Sequence, residues 1–236
     1  MKLPLDNDVW TRLYGPYGNR SVNDTIATLV TQWDQDIVAE LLWEELHHQD
    51  DIYPSTFAAL PWLLEIAPES GEDLKEVQLF LSHVVHCACA GYEVRPKGTY
   101  RGLSPNLVDH HHTWLPEGEW LRESDLPTLL KLEEWFSHNA AKIAVDCLNI
   151  VSDDLTKTAY ALEGFAPFEG SMKVARAAQM YADGEEPNII EQEIGFFEEI
   201  DVRVVAALHP HIQQKNDEVM SFLDGFARRI GGPNAS

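Results

Sequence analysis

Basic residues are scarce in this chain. Seventeen Lys and Arg stand against 39 Asp and Glu, a formal net charge of −22 over 236 residues. Between Ser21 and Leu74 there is no base at all, while twelve acids fall there; Ala177–Val202 repeats the pattern with eight acids and no base. Neutralising nucleic-acid phosphates needs clustered Lys and Arg, so nucleic acid is not an expected partner. Cysteine is also rare. Cys87, Cys89 and Cys147 are too few for a disulfide framework, and a reducing, cytoplasmic compartment is the expectation. No apolar run approaches the roughly 18 residues of a membrane span. The opening MKLPLDNDVW has no basic end followed by an apolar core, so no secretory leader is expected. A Gly-rich phosphate loop, a Gly-x-Ser-x-Gly elbow and a His-Glu-x-x-His pair are all missing, and the expectation is a protein that is not an enzyme. Alternating strand patterns are almost absent.

What the chain does have is helical periodicity. The clearest case is Ile37–Ala67. Ile37, Val38, Leu41, Leu42 and Leu46 recur at helical spacing, with Glu40, Glu44 and Glu45 on the opposite side. Gln49-Asp50-Asp51 stops the period. Tyr53-Pro54 restarts it, since proline suits a first helical turn. Phe57, Ala58, Leu60, Leu64 and Ala67 then mark a second apolar face, with Pro61 placed to kink it. The expectation is a helical hairpin whose small residues, Ala58, Ala59 and Ala67, admit a close neighbour.

Similar patterns surround it. A short helix near Asp8 ends in the Gly15-Pro16-Tyr17-Gly18 turn, and Ser21–Trp33 carries Val22, Ile26, Leu29, Val30 and Trp33 in register. A helix from about Asp73 to Ala90 carries Leu74, Val77, Leu81, Val84 and Val85. Residues 91–119 break all periodicity, with four glycines and three prolines, and read as a long irregular loop. Ser124-Asp125-Leu126-Pro127 opens one long helix through Val151, or two broken near His138-Asn139, with Leu126, Leu129, Leu130, Trp135 and Phe136 among its apolar positions. Asp154–Phe165, Met172–Ala182, Ile189–Ile200, Val202–Ile212 and Asp217–Ile230 follow. Helix pairs of 30–45 residues match the period of helical solenoids.

The run from Trp10 to Ala67 resembles a group of bacterial HEAT-like helical-repeat proteins of unassigned activity. The residues that carry the likeness are Trp10 and Leu13, Tyr17-Gly18, Leu42, Leu46 and His48-Gln49, then Tyr53, Ala58-Ala59, Pro61 and Leu63. Where the group commonly has glycine after His-Gln, this chain has Asp50. The resemblance covers about a quarter of the chain and implies an all-α, HEAT-like α-solenoid of stacked antiparallel helix pairs. It carries over no catalytic residue. We therefore expect one repeat domain over 1–236, interrupted by the loop at 91–119.

Three constellations are candidates for function. His83, His86 and Cys87 fall on adjacent helical turns, a set suited to zinc, and Asp109 with His110-His111-His112 offers further ligands from the loop. The same positions lie on an apolar face, where free cysteines are ordinarily core, so neither a metal nor another cofactor is expected. His48 beside Asp50 or Asp51 has the makings of a general base, yet a histidine at a helix end more often satisfies free carbonyl groups. The exposed acids Asp34, Asp36, Glu40 and Glu44, with Trp114 and Trp120 as anchors from the loop region, form the expected partner-binding surface. The concrete expectation is an acidic protein-binding module, an immunity-type inhibitor that neutralises a basic bacterial toxin or nuclease. The alternatives are a metal-dependent hydrolase using the His83/His86/Cys87 face, or an adaptor without inhibitory activity.

Overall fold

The chain is described by a computed structural model over residues 1–48, 51–89 and 121–229. These residues are helical throughout apart from their connections and one two-residue antiparallel ladder, β1 (His47–His48) with β2 (Asp51–Ile52). No described helix is long and apolar enough to cross a membrane. The described residues divide into two compact units. Unit 1 comprises 1–48, 51–80 and 121–139, and unit 2 comprises 81–89 and 140–229.

In unit 1 a short 3-10 turn, Asp8–Arg12, is capped by Asn7, whose side chain accepts from the Val9 N–H at 2.9 Å. It buries Trp10, and the indole N–H donates to the Pro4 carbonyl at 2.9 Å. Helix α1 (Val22–Thr31) turns Val22, Ile26 and Leu29 inward, as its spacing predicts, but Val30 is exposed. Helix α2 (Gln35–Glu40) runs straight into a π turn, Leu41–Glu45, closed by the Leu46 N–H on the Leu41 carbonyl at 3.0 Å. Helix α3 (Pro54–Ile66) begins at Tyr53, where the Thr56 hydroxyl accepts from the Tyr53 N–H and donates to the Leu46 carbonyl. That hydroxyl joins the end of the π turn to the start of α3.

Every residue of α3 from Pro54 to Pro61 is buried, so the helix is enclosed on all sides rather than on one face. It continues through Pro61 to Ile66. Ala58 and Ala59 have no exposed surface, whereas Leu64, expected on the apolar face, is 40% exposed. The closest helical neighbour of α3 is α1, not the α2 segment with which the sequence pairs it. The ladder and the Thr56 hydroxyl, rather than face-to-face helix packing, connect the two halves of the expected hairpin.

Helix α4 (Glu72–Cys89) and helix α5 (Leu126–Cys147) each contribute residues to both units. The α5 helix is one unbroken span across His138-Asn139. In unit 1 its Phe136 meets Phe57 edge to face, ring centroids 5.2 Å apart; Leu130 of the expected apolar face is 64% exposed. Before α5, Asp125 closes a 3-10 turn and lies buried against Arg12. The pair is bidentate, Nε to Oδ2 at 2.8 Å and Nη2 to Oδ1 at 2.9 Å, and the Arg122 N–H donates to the same carboxylate at 2.9 Å.

Unit 2 contains helices α6 (Leu155–Phe168), α7 (Met172–Ala182), α8 (Pro187–Ile194), α9 (Glu199–Ile212) and α10 (Asp217–Ala227). Side-chain caps start three of them. Asp154 accepts from Lys157 N–H, Ser171 from Val174 N–H, and Asn216 from Val219 N–H. The expected helix Ile189–Ile200 is two helices, because the chain turns at Gly195 with φ +71° and α9 restarts after Glu198. The tightest pair is α6 with α7, and small buried residues occur on both, Ala161 and Ala166 on α6 and Ala175, Ala177 and Ala178 on α7. On another side of α6, Ser82 of α4 comes so close that a Cβ at position 164 would stand 2.7 Å from its Oγ and 2.9 Å from its Cα. Only glycine fits there. The Ser82 hydroxyl accepts from the Gly164 N–H at 2.9 Å and donates to the Tyr160 carbonyl at 2.6 Å, so it occupies both ends of one rung of the α6 ladder.

Candidate functional site

The acidic segment of unit 1 is built by the start and end of α2. Asp34 is its N-cap, Oδ1 accepting from the Asp36 N–H at 3.0 Å and the Ile37 N–H at 3.2 Å. Asp36, Glu40 and Glu44 are exposed, as is Asp34. Among the described residues none of the four has an ion-pair partner. The sequence places Asp36, Glu40 and Glu44 on one straight ridge. The π turn changes that register. Its i→i+5 closure brings Glu45, not Glu44, back over Glu40.

Glu45 is thus not on the solvated face expected of it. Its Oε2 is buried without a hydrogen-bond partner. Burial first, and then the charge of Glu40, push its carboxyl above the ordinary range, with Arg20 pulling the other way. The backbone behind it is equally crowded. A Cβ on Gly15 would lie 2.3 Å from the Glu45 carbonyl oxygen, so the Gly-Pro-Tyr-Gly turn touches the π turn only because residue 15 has no side chain. From that turn Tyr17 reaches His48, hydroxyl to Nδ1 at 3.2 Å. This pairing, and the strand rather than helical placement of His48, replaces the expected role at a helix end. Trp43 lies between Phe80 and His47, edge-on to both, and its indole N–H donates to Glu76 at 2.6 Å.

The second acidic stretch is less available than its composition implies. Asp201 is buried, accepting from the Ser171 hydroxyl at 2.6 Å and the Glu198 N–H at 2.7 Å. Glu191 pairs with Arg229 and Glu198 with Lys173. Asp183, Glu185, Glu186, Glu193 and Glu199 remain exposed. Trp114, Trp120, Asp50, Asp109 and the histidines at 110–112 lie outside the described residues.

Within unit 2, the end of α4 gathers the remaining chemistry. His83 and Cys87 stand one helical turn apart with Nε2 3.3 Å from Sγ. The other ring nitrogen, Nδ1, faces Glu163 of α6, 3.7 Å from Oε2. Glu163 is buried, and Oε2 has no hydrogen-bond partner. His86 stacks on His83 with centroids 6.0 Å apart and planes 13° from parallel. The three residues named from the sequence therefore do not converge three donor atoms on one point. His83 and Cys87 meet; His86 does not join them. Glu163 was missed, though a signal existed, since it is the single charged residue between Thr158 and Pro167, all but one of whose residues are buried. Cys147 is a different case. Burial drives its thiol far above the ordinary range, more than the Ser82 hydrogen bond lowers it, and leaves it a small apolar side chain.

Comparison of the chain with known protein families, with curated proteins and with solved structures found no match.

Proposed function

We propose that the protein is a HEAT-like α-solenoid that acts as an acidic protein-binding module, and that it neutralises a basic bacterial toxin or nuclease in the manner of an immunity protein. The observation that carries this reading is the acidic segment of unit 1, unpaired among the described residues. Asp34, Asp36, Glu40 and Glu44 are exposed and none is in an ion pair there, and behind them Glu45 is held partly out of water beside Glu40. Such an arrangement costs free energy in the isolated protein. A Lys or Arg from a partner would offset the Glu40–Glu45 repulsion while gaining several carboxylate contacts. The helix pairs of unit 2, α6 with α7 and α9 with α10, are the kind of unit that solenoids repeat. Masking a cationic active site needs no catalytic group on this chain, only complementary charge and a rigid support.

The experiment is an association rate against ionic strength, using the basic protein that co-purifies with this chain or is encoded beside it. Reversing Asp36, Glu40 and Glu44 to lysine should slow association about tenfold or more at low salt. Asp34 is left intact because it caps α2. Reversing the exposed Glu123, Glu134 and Asp153 should slow it far less. Rates indifferent to salt and to the first set of reversals would remove the reading.

A further inference from the structure

We propose that His83 and Cys87 form a binding site for a soft divalent cation of the Zn2+ type, with Glu163 as the carboxylate that orients His83. The inference rests on unit 2 alone and is independent of the partner-binding reading.

Residues four apart on a helix share a face, and here their donor atoms stand 3.3 Å apart. A tetrahedral zinc ion with ordinary Zn–S and Zn–N bonds separates its sulfur and nitrogen ligands by about 3.6 Å, so a shift of a few tenths of an ångström seats the ion. The acid stands on the correct side of the ring. A ligating imidazole typically gives its second N–H to a carboxylate, which fixes the tautomer and raises the basicity of the ligating nitrogen. Glu163 faces Nδ1, and Nε2 is the nitrogen turned toward Cys87.

Charge points the same way. A carboxylate oxygen buried without a hydrogen-bond partner is unfavourable and rare in a folded chain. A divalent cation carried by a thiolate and a neutral imidazole would supply the missing positive charge, since the Cys87 thiolate and the Glu163 carboxylate together balance it. Imidazole plus thiolate selects a soft or borderline metal over magnesium or calcium.

The test uses the whole chain, stripped with a chelator and titrated with Co2+ alone. One equivalent should produce a thiolate-to-cobalt charge-transfer band in the near ultraviolet, and Zn2+ should displace it. Cys87→Ser should abolish the band, and Cys147→Ser should leave it. Glu163→Gln should retain the band but weaken the affinity about 10–100-fold, the effect of losing an orienting carboxylate. Absence of the band at saturating Co2+, or its survival in Cys87→Ser, would overturn the proposal. Should Cys87→Ser lose its helical circular dichroism, His83→Gln decides the matter. A much weaker affinity supports the site, and an unchanged one refutes it.

Discussion

Asp125 in unit 1 and Glu163 in unit 2 are both buried carboxylates, and they are held in opposite ways. Asp125 has a bidentate arginine and a backbone N–H on its two oxygens. Burial alone would raise its pKa, but the Arg12 hydrogen bonds, the Arg122 N–H and the two positive charges overcome that and hold it below the ordinary value. Glu163 has one imidazole at 3.7 Å and an oxygen with nothing bonded to it. The first is a closed arrangement whose every lone pair of consequence is used. The second is open, and capacity left unused in a protein interior is where a ligand finds its place. Equal burial thus says little about role; completeness of the hydrogen bonding separates the two.

The largest effect should come from breaking the closed pair. Asp125→Asn takes the bidentate carboxylate from buried Arg12 and leaves it only the exposed Asp8, Nη2 to Oδ2 at 3.3 Å, and denaturant unfolding should show a loss of about 3 kcal/mol. The pH dependence has a definite sign. Because the native carboxyl is depressed, its contribution is complete above the unfolded pKa of about 4 and disappears as pH falls through the lower native value. Wild-type stability should fall over that acid range more steeply than that of Asp125→Asn.

An intermediate effect tests whether the open site rests on a rigid frame. Gly164→Ala would press a methyl group against the Ser82 backbone, and thermal unfolding should report a loss of about 1–3 kcal/mol. The smallest effect should come from Glu163→Gln in metal-free protein, within about 1 kcal/mol of wild type, because the neutral amide keeps the shape and removes a charge that nothing fully compensates. A loss comparable with that of Asp125→Asn would mean that Glu163 is as fully paired as Asp125, and the contrast would fail.

Much of the fold is legible in the chain because it depends on periodicity. Met172–Ala182 coincides with its helix, and of the two readings the spacing leaves open around His138-Asn139 the unbroken α5 is the one that forms. The pattern fails where a single backbone angle decides, as at Gly195, and where an apolar residue keeps the spacing without finding a neighbour, as at Val30, Leu64 and Leu130. The π turn has no residue-type signature, so the registers of Glu44 and Glu45 were not accessible from composition. The candidate site was half legible. His83 and Cys87 share a helical face by spacing alone, but Glu163 arrives from a helix some 80 positions away, and no local rule pairs it with them. Arg12 and Asp125 are separated still further, by 113 positions.

The Ser82 hydroxyl carries one more consequence, for the order of events in folding. It takes the Gly164 N–H and the Tyr160 carbonyl, both ends of a rung that α6 would ordinarily close by itself. The middle of α6 therefore reaches its native bonding only after a segment 82 residues earlier in the chain has docked against it. A local helix has been made conditional on a distant contact. Closing that distance costs chain entropy before any reward is collected, so α6 is expected to complete late, whereas α7 takes its N-cap from the adjacent Ser171.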